Sequence, residues 1–154
     1  IYNNFSNTFE ELVKKNGVKI RIFGSRNNLP DKINNIFKDI ENTSSLNNNL
    51  NLNVAFNYGF KNEIKNILKK IKKTNTKINF DNEIEINELF DLGSISDPDI
   101  LIRTGGYKRL SNFIMYNLTY TELFFTKTLW PDFSEKEFNL IIDNYSKINR
   151  KYGL

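Results

Sequence analysis

The apolar residues of this 154-residue chain change spacing repeatedly, from every second residue to every third or fourth and back, and that alternation restricts the fold more than any other feature. Val18, Ile20 and Ile22 alternate with Lys19 and Arg21, the period-2 pattern of a half-exposed strand, before Gly24 turns the chain. Pro30 opens a helix in which Ile33, Ile36, Phe37 and Ile40 recur on one face. Leu50, Leu52, Val54 and Phe56 then read as a second strand ending at Asn57-Tyr58-Gly59, and Ile64, Ile67, Leu68 and Ile71 as a second amphipathic helix. The opposite face of that helix carries Lys65, Lys69, Lys70, Lys72 and Lys73. It reads first as a solvated face and second as a phosphate or membrane surface.

The same alternation continues on either side of this middle section. Thr8 and Glu11 stand in capping-box spacing before Leu12 and Val13, predicting a short helix that stops near Gly17. The Asn-rich stretch Asn42–Asn49 reads as a loop that buries little. A short helix through Ile86 and Leu89 precedes Pro98, and Ile100-Leu101-Ile102 is a continuous apolar run, the pattern of a strand buried on both sides. Further apolar pieces lie at Phe113–Met115 and Leu123–Phe125. The last helix is signalled by Ser134 and Glu137, with Phe138, Ile141, Ile142, Tyr145 and Ile148 on its face. Strands alternating with helices predict a single α/β domain over residues 1–154 with a mainly parallel central sheet flanked by helices.

Composition narrows the chemistry. Cysteine and histidine are both absent, which excludes disulfides, thiolate nucleophiles, His-based triads and the usual zinc sites, and leaves carboxylate and backbone oxygens as metal ligands. The net charge of +4, from 22 basic and 18 acidic residues, suits an anionic ligand and is too weak to imply nucleic acid. No apolar run approaches the roughly 20 residues needed to cross a bilayer, and no signal-peptide pattern opens the chain. The expected location is intracellular, cytoplasmic or peripheral to a membrane such as that of the endoplasmic reticulum or an organelle.

The densest polar text is SDPDILIRTGGYKRLSN, Ser96–Asn112. Ligands of parallel sheets bind beyond the carboxyl ends of strands, so Arg103, leaving the apolar run, is aimed at a site. Thr104, Gly105 and Gly106 form a tight turn expected to bring backbone amides close to a ligand, and Lys108, Arg109 and Ser111 return two cations and a hydroxyl to the same place. Two guanidiniums with a hydroxyl suit a diphosphate, because Arg bridges phosphate oxygens bidentately. The competing reading is a surface turn whose arginines pair with Asp97 and Asp99. The residues alone leave the two readings even.

Taken together, ILIRTGGYKRLSNFIMYNLTYTELFF and LWPDF resemble the C-terminal signature of the cis-prenyltransferases, the undecaprenyl and dehydrodolichyl diphosphate synthases. That signature is an Arg-Thr-Gly/Ser-Gly segment followed by Arg-x-Ser-Asn-Phe, a Tyr-x-Glu-Leu pair and Leu-Trp-Pro-Asp-Phe. Gly17–Gly24 and the Asn57-Tyr58-Gly59 turn also stand where the family would have them. The resemblance implies that fold and a condensation of isopentenyl diphosphate onto an allylic diphosphate such as farnesyl diphosphate. Pyrophosphate leaves the allylic carbon, that carbon joins C4 of isopentenyl diphosphate, and proton loss sets a cis double bond. It assigns the diphosphate of isopentenyl diphosphate to Arg103, Arg109 and Ser111, with Gly105, Gly106 and Asn57 as further candidates, and it assigns a Mg²⁺ ligand to Glu122. Without the resemblance, Glu122 reads better as a partner of Lys108 or Arg109. Trp130, Pro131 and Phe133 are expected in the core and at a subunit interface, and the family implies a homodimer or a heteromer with a related subunit.

Three departures and one gap stand against the pattern. Tyr107 occupies a place where Glu is common, Phe60-Lys61 replaces a frequent Gly-Arg, and Lys151-Tyr152-Gly153 replaces an Arg-x-Gly motif that reaches a partner's active site, keeping charge but losing the bidentate fork. The family's Asp-Gly-Asn loop, which carries the catalytic aspartate, and its Phe-Ser/Thr-x-Glu-Asn-x-x-Arg-Pro segment are not among these residues. The catalytic residue is therefore expected in an N-terminal segment outside the chain, and the polypeptide by itself is expected to be inactive. Two other readings remain. One is a non-catalytic partner subunit, disfavoured by the intact signature. The other is a nucleic-acid-binding module on the lysine helix, disfavoured because few exposed aromatics accompany those lysines.

Overall fold

The computed structural model describes residue 11, residues 13–74 and residues 78–151. The chain divides into two compact units, Ile1–Glu63 and Ile64–Leu154. Every strand ladder among the described residues is parallel, as the alternation of strands and helices predicts.

In the first unit, β1 (Val18–Phe23) and β2 (Leu50–Ala55) pair in register from Val18 opposite Leu50 to Phe23 opposite Ala55. The helix α1 (Asp31–Thr43) connects them. Pro30 sits at its N-cap with φ −54°, the angle its ring enforces, so the start falls where the sequence predicts. Phe37 and Ile40 of α1 pack with Val13, Val18, Ile20 and Ile22 in the core, and Phe56 meets the Phe37 ring edge-on at 5.1 Å. Residues 13–16 are helical and Gly17, at φ 61°, ends the turn as expected. Thr8 and Leu12 lie outside the described residues. At the other end of β1, Gly24 has φ 106°, and a Cβ there would lie 2.3 Å from the Phe56 carbonyl oxygen, so only glycine fits.

The Asn-rich stretch is less passive than its composition implies. Helix α1 runs through Thr43, and Ser44 beyond it is completely buried. The amides of Ile20 and Ile22 point away from β2. Ser44 Oγ accepts from the Ile20 amide at 3.0 Å, and Glu41 Oε1 accepts from the Ile22 amide at 2.8 Å. Arg26 holds Glu41 by a 2.7 Å ion pair and also donates to the Ile22 carbonyl. Asn47 Nδ2 donates to the carbonyls of Val13 and Val18. Side chains thus satisfy the edge of β1 that no strand among the described residues covers, because a buried amide left unpaired is costly.

The helix α2 (Phe60–Thr74) spans the boundary of the two units, with Ile67 buried and Lys65, Lys69, Lys70, Lys72 and Lys73 exposed. Leu68 does not join the buried face but is 62% exposed. It lies one position, about 100° of rotation, from Ile67. No helix among the described residues is long and apolar enough to cross a membrane.

In the second unit a short helix α3 (Glu83–Asn87) is capped by Asn82, whose side chain accepts from the Ile84 amide. The strands β3 (Ile100–Arg103) and β4 (Glu122–Phe125) pair from Ile100 opposite Glu122 to Arg103 opposite Phe125. All four residues of β3 are half-buried rather than buried on both sides, since β3 is laddered on one edge only among the described residues and its other surroundings are partly open. Gly93 packs so closely on the Asn87 backbone that a Cβ would fall 1.6 Å from its carbonyl oxygen. A closing helix α4 (Glu135–Tyr145) begins at Ser134, whose hydroxyl accepts from the Glu137 amide at 3.2 Å. Of the apolar face expected there, Ile141 is buried while Phe138, Ile142 and Ile148 are open. Trp130 is not a core residue either: it is 75% exposed and stacks on half-buried Phe133.

Ser44→Ala should lower stability by about 1–3 kcal/mol, the cost of an unsatisfied buried amide. Ser45→Ala, at the exposed neighbour, should change it by no more than about 0.5 kcal/mol. Urea unfolding of both variants checks this.

Candidate functional site

Parallel strands need a long crossover, and the one from β3 to β4, residues 104–121, carries most of the candidate residues. Three anchors hold it. The buried Asn117 donates to the Leu92 carbonyl and to Asp97 Oδ1. The Tyr116 ring stacks on Phe90 at 3.8 Å while its hydroxyl donates to Asn87 Oδ1. The Thr121 hydroxyl donates to the Pro98 carbonyl at 2.7 Å.

On this support Arg103, Arg109 and Ser111 come together. Arg103 leaves the carboxyl end of β3, and its Nη1 donates to Ser111 Oγ at 2.7 Å and to the Arg109 carbonyl. Arg109 Nε donates to the same Ser111 Oγ at 3.2 Å. Ser111 has φ 52° and Asn112 φ 66°, a left-handed pair that turns the hydroxyl back between the guanidiniums. A cavity of about 270 Å³ opens beside them, lined by Leu101, Ile102, Arg103, Thr104, Arg109, Leu110 and Phe113.

The reading in which acidic neighbours neutralise the arginines fails in this geometry. Asp99 pairs with Arg150, and Asp97 accepts from Asn117. Among the described residues neither Arg103 nor Arg109 has a carboxylate partner. Tyr107 takes part instead: the Arg109 guanidinium lies 4.3 Å from its ring centroid and that of Arg103 6.0 Å. An aromatic face holds a guanidinium without cancelling its charge. The donor set suits an anion with paired oxygens.

Other candidates are placed differently. The amides of Gly105 and Gly106 do not open toward a ligand, as the sequence reading expects. They donate to the carbonyls of Thr128 and Thr126, each at 2.8 Å. Both glycines have positive φ, 86° and 81°, so backbone shape rather than close approach requires them. Lys108 is exposed and forms no hydrogen bond or ion pair with the cluster among the described residues. Glu122 sits opposite Ile100, three residues from the Arg103 end of the ladder, about 10 Å along the strand. It pairs with neither Lys108 nor Arg109 among the described residues. Asn57 belongs to the first unit, where it takes φ 47° and donates to the Ser25 carbonyl. Lys151 is exposed, and Tyr152 and Gly153 of the same motif lie outside the described residues.

A metal finds little here by itself. Among the described residues no group of three or more Asp, Glu, His or Cys side chains converges, so a cation at Glu122 would draw most of its oxygens from ligand and water.

The sequence reading missed Glu137. Its carboxylate accepts from the hydroxyls of Thr126 and Thr128, the residues that receive the two glycine amides. Capping-box spacing concealed this, since it assigns that carboxylate to the helix start.

A parallel ladder flanked by helices, whose crossover returns two arginines and a serine to a strand end, defines an α/β protein with a cationic cluster at a strand terminus. The family model described as "Putative undecaprenyl diphosphate synthase" matches residues 1–153, and the chain belongs to that family, the cis-prenyltransferases. An isoprenyl transferase of Aquifex aeolicus is 40% identical over 154 residues, covering 99% of this chain and 65% of its own. The tritrans,polycis-undecaprenyl-diphosphate synthase (geranylgeranyl-diphosphate specific) of Pyrobaculum aerophilum is 33% identical, covering 94% and 61%. Among solved structures, lavandulyl diphosphate synthase from Lavandula x intermedia in complex with dimethylallyl diphosphate is similar with a TM-score of 0.85 at 26% identity, covering 99% of this chain and 68% of that one. A probable undecaprenyl diphosphate synthase from Campylobacter jejuni gives 0.80 at 28%, covering 99% and 73%. The chain spans about 65% of the length of the Aquifex relatives.

Gly105→Ala should cost about 1–2 kcal/mol through its left-handed φ alone, since an added Cβ meets nothing within 4 Å. A fall in thermal midpoint with an unchanged far-UV spectrum checks this.

Proposed function

We propose that Arg103, Arg109 and Ser111 grip the diphosphate of isopentenyl diphosphate during cis-prenyl chain elongation onto an allylic diphosphate. The observation that carries this reading is the meeting of two guanidiniums, unpaired with any described carboxylate, on one serine hydroxyl at the carboxyl end of β3. Each charge-assisted hydrogen bond to a phosphate oxygen contributes about 1.5–3 kcal/mol, so the pair supplies useful affinity without a metal. The same positive charge stabilises negative charge on the diphosphate as bonds change, in a site organised before the ligand arrives.

Glu122 is assigned a Mg²⁺ ligand role on the family pattern. Magnesium supplies phosphate neutralisation when bound, and one or two protein carboxylates with phosphate and water oxygens are its usual surroundings. The long-chain polyprenyl product, an association of this chain with a second copy or a related subunit, and contact with a membrane surface belong to the same proposal. So does the expectation that these 154 residues by themselves form no product, because the Asp-Gly-Asn loop is not among them.

Titration calorimetry with inorganic pyrophosphate and with isopentenyl diphosphate tests the grip. Both should bind, and Arg103→Ala or Arg109→Ala should weaken binding at least about tenfold, as the loss of a charged hydrogen bond predicts. Arg103→Lys should recover little, because Lys lacks the planar fork. Unchanged affinity in all three variants would remove the assignment. Incorporation of labelled isopentenyl diphosphate measures turnover: none is expected from the 154-residue polypeptide, and product from it would overturn the expectation that catalysis needs residues beyond it.

A further inference from the structure

We propose that Glu137 is a positioning residue for the anion grip, acting through Thr126 and Thr128 on the main chain of Arg103–Gly106. This inference rests on the reading of the Arg103 cluster as a diphosphate grip. Glu137 occupies the first turn of α4, where the Ser134 hydroxyl holds its amide. Its carboxylate does not complete the capping box: among the described residues its Oε1 accepts from both threonine hydroxyls.

Those two threonines hold the guanidinium-bearing segment from one side. The Thr126 amide donates to the Arg103 carbonyl at 3.0 Å, the Thr126 carbonyl accepts from the Gly106 amide, and the Thr128 carbonyl accepts from the Gly105 amide. The Thr128 amide in turn donates to Thr126 Oγ1 at 3.1 Å, closing a tight turn. Three main-chain hydrogen bonds therefore tie residues 103–106 to a turn whose side-chain hydroxyls both end on one carboxylate oxygen. A half-buried glutamate with two hydroxyl donors is more than a helix cap needs. With Gly105 and Gly106 both in left-handed conformations, the turn after Arg103 has little stiffness of its own. The outside clamp supplies it, and with it the direction in which Arg103 reaches Ser111.

Glu137→Ala should weaken pyrophosphate binding about tenfold, since small displacements of a positioned group carry penalties of that order or more. Glu137→Gln, which keeps an acceptor oxygen, should stay within about twofold. The near-isosteric pair Thr126→Val with Thr128→Val should match Glu137→Ala, and adding Glu137→Ala to that pair should cost nothing further. Thermal midpoints and near-UV spectra are recorded alongside, and the ¹⁵N–¹H signals of Gly105 and Gly106 should move in Glu137→Ala but not in Glu137→Gln. Should Glu137→Ala fail to fold, the double valine variant carries the test. Failure of the unsubstituted chain to bind pyrophosphate overturns the grip itself. Binding by the unsubstituted chain, with equal affinity in Glu137→Ala and the double valine variant, overturns only the clamp, as does a Glu137→Gln variant that weakens binding as much as Glu137→Ala.

Discussion

Two guanidinium groups on one hydroxyl oxygen repel each other, and the crossover between β3 and β4 is arranged around that repulsion. Ser111 Oγ and the Arg109 carbonyl supply acceptors, and the Tyr107 ring supplies a negative face. The nearby carboxylates are diverted, Asp99 to Arg150 and Asp97 to Asn117. Magnitudes explain why this matters. An exposed cation–π contact contributes about 0.5–1 kcal/mol, and a charged hydrogen bond about 1.5–3 kcal/mol. The tyrosine can therefore hold Arg109 in place without cancelling its charge, whereas a carboxylate in the same place would pair with it.

The first unit obeys a different form of the same rule, that polar groups removed from water must be matched. Among the described residues β1 pairs with a strand on one side only, yet its core-facing residues are buried. Ser44 and Glu41, at the end of α1, take the place of a second strand for the amides of Ile20 and Ile22. The asparagines of the stretch read as a loop that buries little contribute here too, with Asn47 bridging the Val13 and Val18 carbonyls and Asn49 reaching that of Asn16. Helix, strand edge and loop are held by side chains whose roles depend on where α1 stops.

Much of the framework is legible from spacing. The period-2 text of Val18–Phe23, the helix opened by Pro30 and the parallel sense of both ladders appear as expected, because each depends on residues close together in the chain. The convergence of Arg103, Arg109 and Ser111 is likewise anticipated, since all three lie within nine consecutive residues (103–111) around a glycine turn. Burial is less legible. Leu68, Phe138, Ile142 and Trp130 are apolar and stand on plausible faces, yet all are open, because exposure depends on what packs opposite and not on periodicity.

What the sequence alone determined is the family, the α/β alternation and which polar groups gather after β3, because these reside in local spacing and in a compound motif. The tertiary structure decided how those groups are held. Gly105 and Gly106 spend their amides on Thr128 and Thr126, and Glu137 turns from its own helix start to the same threonines, a choice between two hydrogen-bond partners that the one-dimensional pattern leaves open. Glu122 falls toward the opposite end of the ladder from Arg103 for a similar reason, since register between parallel strands is set by packing and pairing across space.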